Sequence, residues 1–523
     1  MKKAIYLIIA LIGLSAPSCS DSMLDFSPTD SGSGKELLKS ASTAITSVNG
    51  VYRSMWTAGW STTANTHQCF GIAAYNLALD CMADDLIMQS QGNGWFWGDH
   101  CYNVKSNYTS SAFRSYDVWY ANYKWIANVN YIIDAEPEMA GTEADVAYVA
   151  GQAYAIRALC YLNLATWFSR APYNSLTGAS RWNEPCVPVY TTGTSIDTGG
   201  QPRESLRTVY GRIDQDIDRA IELLEKARET TLAENNKSHI NLYVALGIKS
   251  RACLAEGDWD GAFKAAKRVI DEGGYAVGTK SDLTGGMNSL DKQNVMWGAG
   301  IQVADQAGGY AGFFTHMDNK EGAYAKSAPK LISKQLYNRI SATDIRRDWW
   351  DPSDKESPYV SKKFSFANVA SFLGDYIYMR VEEMYFTAAE AALRSENLPN
   401  NVQVARDLMN TVMAERDTRY NANNRSGLNL GATTTTWTGS LLEDILIQRR
   451  IELWGEYGRL FDVRRLGQGI DRRTDDGFSE ECISMMNRRN VNITKADTYD
   501  WVLTIPKAEL DANPNINEED QNP

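Results

Sequence analysis

Histidine is scarce in this chain. There are four in 523 residues (His67, His100, His239 and His316), with no H-E-x-x-H or similar spacing, so the sequence offers no pattern for a zinc centre. No G-x-S-x-G elbow or phosphate loop occurs. Gly298-Ala299-Gly300 and Gly467-Gln468-Gly469 lack the flanking strand–turn–helix pattern. Lys/Arg-rich runs are also missing, and 52 basic residues against 64 acidic ones give a net charge of −12. Phosphate neutralisation needs clustered cations, so nucleic acid is excluded as a partner. Beyond the first nineteen residues no apolar run is long enough to span a bilayer. The hydrophobic fraction of 44% and charged fraction of 22% are those of a globular chain with ample material for a core.

Cysteine is present without a pattern. Beyond Cys19 there are Cys69, Cys81, Cys101, Cys160, Cys186, Cys253 and Cys482, none in a C-x-x-C pair, and the odd count leaves at least one unpaired. They read as small buried hydrophobes, with a disulfide among Cys69, Cys81 and Cys101 conceivable in an exported protein.

Export is what the first residues indicate. Met1, Lys2 and Lys3 form a basic head, residues 4–14 are apolar, and Ser15-Ala16-Pro17-Ser18 brings small residues up to Cys19. This layout is that of a secretion signal. It resembles a bacterial lipobox, with Ala16 where Leu is usual, and predicts cleavage before Cys19 and lipid attachment there. The alternative is an ordinary cleaved signal whose Cys19 is incidental. Residues 1–18 are thus read as signal peptide, 19–34 as a Ser/Asp/Gly-rich lipidated tether, and 35–523 as one helical domain.

Three- and four-residue apolar spacing predicts helices over 35–55, 112–133, 145–168, 206–227, 242–256, 379–394, 402–416 and a last long one over 441–465. Residues 242–270 read as helix, tight turn and helix, with the turn at Glu256-Gly257-Asp258 and small residues (Ala245, Gly247, Ala252, Ala262, Ala266) on the facing sides. Residues 379–416 repeat the plan. Helix pairs of about thirty-four residues with Ala-lined faces are those of tetratricopeptide-type repeats. The predicted fold class is therefore all-α, tetratricopeptide-like pairs interrupted by long irregular insertions at 88–111, 172–202, 273–329 and 421–439. Loops this long usually serve a function. Residues 295–303 are read as a short strand.

Catalytic signals are weak. The acidic pairs Asp84-Asp85, Glu382-Glu383 and Glu480-Glu481 keep a helical glycosidase open as the enzyme alternative, against the reading of solvated or capping charges. No cofactor is required. Asp80 and Asp84, four apart, could share a helix face near a structural calcium ion.

Aromatics are abundant: 15 Trp, 27 Tyr and 14 Phe. Two clusters fall on polar, Gly-rich insertions. One holds Asn93, Trp95, Phe96, Trp97, Asp99 and Tyr102, with Tyr108 following. The other holds Tyr310, Phe313 and Phe314, with Tyr324 downstream. A pyranose has apolar C–H faces that stack on rings and hydroxyls that need polar partners, so such loops suit a sugar. Trp95, Trp97, Tyr310 and Phe314 lead the expected stacking residues, with Phe96, Tyr102, Phe313 and Tyr324 behind them. Asp85, Asn93 and Asp99 are expected hydroxyl contacts. The competing reading is that these rings pin their own loops to the helical body.

The chain resembles the SusD-like (SusD/RagB) nutrient-binding lipoproteins of the Bacteroidetes outer membrane, almost end to end. Leu24-Asp25 with Pro28 and Val48-Asn49-Gly50-Val51-Tyr52 look like the family's opening. Trp119, Tyr123, Ile126 and Asn128 fit its W-x3-Y-x2-I-x-x-N helix, allowing for small register differences. Gly151-Gln152-Ala153 with Arg157-Ala158 and Tyr161 resembles G-E-A-x3-R-A-x2-Y. Arg380, Glu383, Tyr385 and Ala389-Glu390-Ala391 match R-x2-E-x-Y-x3-A-E-A. Arg449-Arg450-Ile451-Glu452-Leu453, Glu456, Gly458-Arg459, Phe461-Asp462 and Arg464-Arg465 follow the family's last helix, with Tyr457 where Gly is usual. The tail agrees through Ile505-Pro506, Glu509-Leu510, Asn513-Pro514 and Gln521-Asn522-Pro523. Where the family has N-x-V-R-x-R, Met413 and Glu415 follow Asn410 in place of the arginines.

The resemblance implies a non-catalytic, surface-exposed protein held in the outer membrane by acylated Cys19, binding a glycan and delivering it to a SusC-like TonB-dependent barrel. Some relatives handle oligopeptides, and that alternative stays open. Glu452, Glu456 and Arg459 are expected to form an architectural charge ladder.

Overall fold

The computed structural model describes residues 34–57, 66–103, 113–195, 197–233, 237–305, 311–496 and 498–523. Cys19, Tyr108 and Tyr310 lie outside the described residues.

Helices dominate, and several that are adjacent in sequence pack together. α1 (Ala41–Ser54), α2 (Ile72–Met82), α3 (Phe113–Ala135), α4 (Glu143–Phe168), α5 (Leu206–Lys226), α6 (Leu242–Glu256) and α7 (Trp259–Glu272) make the first part. α8 (Val381–Arg394), α9 (Asn401–Ala414), α10 (Leu441–Glu452), α11 (Arg459–Leu466) and α12 (Glu480–Arg488) follow. α4 is apolar nearly all round, so it sits centrally, with α3, α5, α1 and α6 against it. α5 and α7 are amphipathic and present one face to solvent.

Side-chain caps fix where these helices start. Thr142, Ser205, Asn241, Asp258 and Ser440 each accept a backbone N–H of the following first turn. The turn between α6 and α7 falls where the sequence places it, at Gly257 followed by Asp258. Buried Ala262, Ala265, Ala266 and Val269 face inward from α7, which packs on both α6 and α8. α8 and α9 form the second predicted pair.

The last helix is not continuous. Residues 453–458 break it into α10 and α11, with Gly455 at φ +74° and Gly458 at φ +34°. A Cβ on Gly455 would lie 2.7 Å from the Phe364 ring, and one on Gly458 2.8 Å from Leu79. The break turns the predicted one-helix ladder into a buried network. Glu452 meets Arg346 (3.1 Å), Arg380 (3.0 Å) and Arg416 (2.9 Å), while Glu456 meets Lys363 (2.5 Å) and Arg380 (2.7 Å). Burial opposes the charge on Glu452, but Arg416, Arg380 and Arg346 outweigh it and hold the carboxyl well below its usual range.

There is more β structure than the single strand expected over 295–303. β1 (Leu86–Ile87), β3 (Leu331–Ile332), β5 (Val360–Ser361) and β4 (Trp350–Asp351) form a small antiparallel sheet in that order. β2 (Val295–Ala299) pairs with β6 (Tyr376–Arg380), so α8 begins two residues later than its pattern suggested. The β1–β3 pairing sets Leu86 opposite Ile332 and Ile87 opposite Leu331. Since β1 opens the first aromatic insertion and β3 closes the second, this register stands the two insertions side by side.

Candidate ligand-binding site

Two aromatic residues in the first insertion adopt the left-handed backbone conformation, Phe96 at φ 62° and Tyr102 at φ 56°. Such residues persist only where their surroundings over-determine them. The Phe96 N–H donates to Gln68 Oε1 (2.7 Å), and its ring packs against Phe70 and His316. Arg114 forks onto both oxygens of Asp99 (2.8 and 3.0 Å) and donates to the Gln68 carbonyl (3.0 Å). The Tyr102 hydroxyl donates to the Met82 carbonyl (2.5 Å).

This locking corrects much of the expected contact set. Phe96, Trp97, Asp99 and Tyr102 are buried, because they fasten the insertion to the helical body. Phe313 and Phe314 are buried as well, against Phe364, Phe366 and Tyr376. Asp85 is enclosed by Arg450 (2.6 Å) and Arg459 (3.0 Å). All seven are buried in this conformation.

Three expected residues remain at the surface, and the fold brings them together. Trp95 and Tyr324 are half-buried and Asn93 is exposed. The Trp95 indole stacks on His67 (centroids 4.9 Å apart, planes 17° from parallel), and Tyr324 approaches edge-on, 5.4 Å from His67 and 6.0 Å from Trp95. The Tyr324 hydroxyl hydrogen-bonds to His67 Nδ1 (2.6 Å). Asn93 Oδ1 accepts the Trp95 N–H at 3.4 Å, and Gly92, at φ +52°, lies so close to the second insertion that a Cβ would come 2.5 Å from the Ser327 carbonyl. Beneath them His316 Nε2 bonds the His67 carbonyl (2.7 Å); burial first, and Lys330 second, hold His316 well below its usual pKa, hence neutral.

The sequence reading missed His67, which sits on a short 3-10 turn (Thr66–Gln68). Its sequence neighbours carry no signal, and positions 67, 95 and 324 meet only in three dimensions. The short helix bearing Tyr324 also bears Lys326, which borders an open groove of about 820 Å³ lined by Asn319, Lys320, Asp354, Phe366 and Val369 among others. A second open groove, about 460 Å³, lies on α3, where Tyr120, Tyr123 and Lys124 face Tyr190, Thr194 and Glu509. Its Trp119 and Tyr123 belong to the segment matched to the W-x3-Y-x2-I-x-x-N helix.

The acidic pairs are committed elsewhere. Asp84 contacts Arg450 and Arg459 (both 3.2 Å), Glu383 pairs with Arg251 (2.7 Å) and Glu382 with Arg416 (2.8 Å). Glu480 and Glu481 lie exposed in the first turn of α12. Among the described residues no His/Cys/Asp/Glu group is placed to hold a metal ion, and no helix is long and apolar enough to cross a membrane. The seven described cysteines are buried free thiols, so the conceivable disulfide among Cys69, Cys81 and Cys101 is not formed; Cys69 instead hydrogen-bonds to Asp117.

This is a helical-repeat architecture whose two aromatic insertions lie side by side. A family model described as "SusD family" matches residues 326–523, and one described as "Starch-binding associating with outer membrane" matches residues 43–254. The chain belongs to the SusD-like family. Among solved structures it is similar to a SusD-like carbohydrate binding protein from Bacteroides vulgatus (24% identity, TM-score 0.71, 92% of this chain and 98% of that one). A SusD superfamily protein from Bacteroides thetaiotaomicron is 22% identical with a TM-score of 0.72, over 92% of this chain and 100% of the other. Surface glycan-binding protein A from Bacteroides thetaiotaomicron, solved in complex with laminarihexaose, is 16% identical with a TM-score of 0.64, over 92% and 99%. These likenesses are likenesses of fold. No curated protein matches the chain.

Proposed function

We propose that this protein is a lipid-anchored, surface-exposed, non-catalytic receptor that captures a glycan and delivers it to a SusC-like TonB-dependent barrel. The observation that carries this reading is the Trp95–His67–Tyr324 cluster: partly exposed rings, contributed by three distant segments and set on a base locked by Gln68, Arg114 and Asp99. Rings supply faces for sugar C–H groups. Asn93 and the flanking groove supply polar partners. The "starch-binding" description of one matching family, and the laminarihexaose complex of one structural neighbour, support a glycan. Acylation at Cys19 with residues 19–34 as tether would hold the receptor at the outer membrane.

Affinity is expected to be modest, because an open site gains little beyond stacking and water-mediated contacts. Calorimetry of the purified protein against soluble glucans, other plant and host glycans, and oligopeptides tests the reading. Saturable binding of one glycan class, with that glycan unshortened after long incubation, is the expected result. Peptide binding alone, or shortened products, would replace it. Co-purification of a barrel from solubilised outer membranes tests the delivery step.

A further inference from the structure

Cys101 follows the short helix Trp97–His100 that closes the locked part of the first insertion, and its N–H donates to the Trp97 carbonyl (2.9 Å). Cys482 lies in the first turn of α12, its N–H donating to the Ser479 hydroxyl (3.2 Å). The two positions are remote in sequence, yet the Cys482 sulfur lies 3.6 Å from the carbonyl of His100, the residue before Cys101, which makes the two cysteines neighbours in space. Both are fully enclosed. Arg472 holds the junction rigid: it donates to the His100, Ala83 and Cys81 carbonyls and approaches the Cys482 sulfur at 3.8 Å. The other thiols are differently placed; Cys69 meets Asp117, and Cys186 meets the Ser169 hydroxyl at 3.3 Å.

We propose that Cys101 and Cys482 become a disulfide once the chain reaches an oxidising compartment, fastening the ring-bearing insertion to α12. The inference rests on the export part of the proposed function. One of the two cysteines loses its proton and displaces a thiolate from a disulfide of the exporting compartment's thiol–disulfide pool, forming a mixed disulfide; the other then loses its proton, attacks the protein sulfur of that mixed disulfide and releases the second thiolate. Two electrons and two protons pass to the donor disulfide, which leaves as two thiols. Because both sulfurs are enclosed in the folded chain, exchange takes place while α12 is still docking.

Two preparations test this without any substitution. Protein isolated from cell envelopes is denatured with an alkylating agent and no reductant, digested and mass-mapped. A separate sample, fully reduced and unfolded, is refolded with oxidised glutathione and mapped in the same way. The expected result in both is a Cys101–Cys482 cross-linked peptide, lighter by two hydrogens than its separate halves, with the other five described cysteines alkylated. Alkylated Cys101 and Cys482 in both samples, or a different pairing, would overturn the assignment. A link in the refolded sample but not in the envelope sample would overturn the in-cell disulfide and count against export, while leaving the glycan site untouched.

Discussion

Two neighbouring rings in the first insertion have opposite jobs. Trp95 is half-exposed on His67, whereas Phe96 is enclosed among Phe70, His316 and the Arg114 guanidinium. Trp95→Ala should therefore lower glycan affinity about tenfold, ~1.4 kcal/mol, with the unfolding midpoint in urea nearly unchanged. Phe96→Ala should cost about 3–5 kcal/mol of stability, as a buried Phe does. Calorimetry and urea titration of both variants decide it; intact binding by the Trp95 variant would remove that ring from the site. Tyr120→Ala, in the α3 groove, serves as the contrasting variant and should leave glycan affinity unchanged. Another residue carries a pH signature. Asp80 accepts the Arg459 N–H through Oδ1, while its buried Oδ2 has no partner, and burial pushes its carboxyl up to about 8. The unfolded chain ionises near its ordinary value, so between about pH 4 and 8 only the unfolded state gives up this proton, and stability falls as pH rises through that window. Asp80→Asn removes that contribution. Its stability relative to the parent should rise by at least ~1 kcal/mol from pH 4.5 to pH 8 in urea titrations; a constant difference would show that Asp80 is already ionised in the folded chain.

At the scale of elements, the decisive contact is between insertions. β1 and β3 align their bases, and Gly92 lets the first lie against Ser327 and Ala328 of the second. Gly92→Ala places a Cβ 2.5 Å from the Ser327 carbonyl at a positive φ, so it should destabilise by about 1–3 kcal/mol and part Trp95 from Tyr324. Weakened glycan binding by calorimetry, with the helical circular-dichroism signal preserved, is expected; unchanged affinity would mean that the two insertions act separately. The helix pairs were legible in sequence because each repeats an apolar spacing, and in the first pair Asn241 and Asp258 cap the two helices. The break after Glu452 was not. Its residues keep a helical pattern, and the tight packing of Gly455 on Phe364 and Gly458 on Leu79 comes from segments far away.

Across the whole molecule, buried charge ties distant segments to α10. Glu452 alone joins Arg346, Arg380 and Arg416, drawn from a 3-10 turn, the end of β6 and the end of α9. Removing one member leaves others buried without a counter-charge. Glu452→Ala should therefore cost about 3–5 kcal/mol, measured by urea unfolding, far more than a surface pair. A loss below 1 kcal/mol would show that water relieves the network.

The amino-acid order alone determined the helical class, the repeat pairs, the family and the positions of the two ring-bearing insertions, because each is written in local spacing or in contiguous motifs. It could not rank the rings. Whether an aromatic side chain anchors a loop or faces solvent depends on what lies across from it. Gln68, Arg114 and Tyr376 turn Phe96, Asp99 and Phe313 inward, while His67 and Tyr324 hold Trp95 at the surface. Those partners are separated along the chain by up to hundreds of residues, and only tertiary packing brings them within a few ångströms.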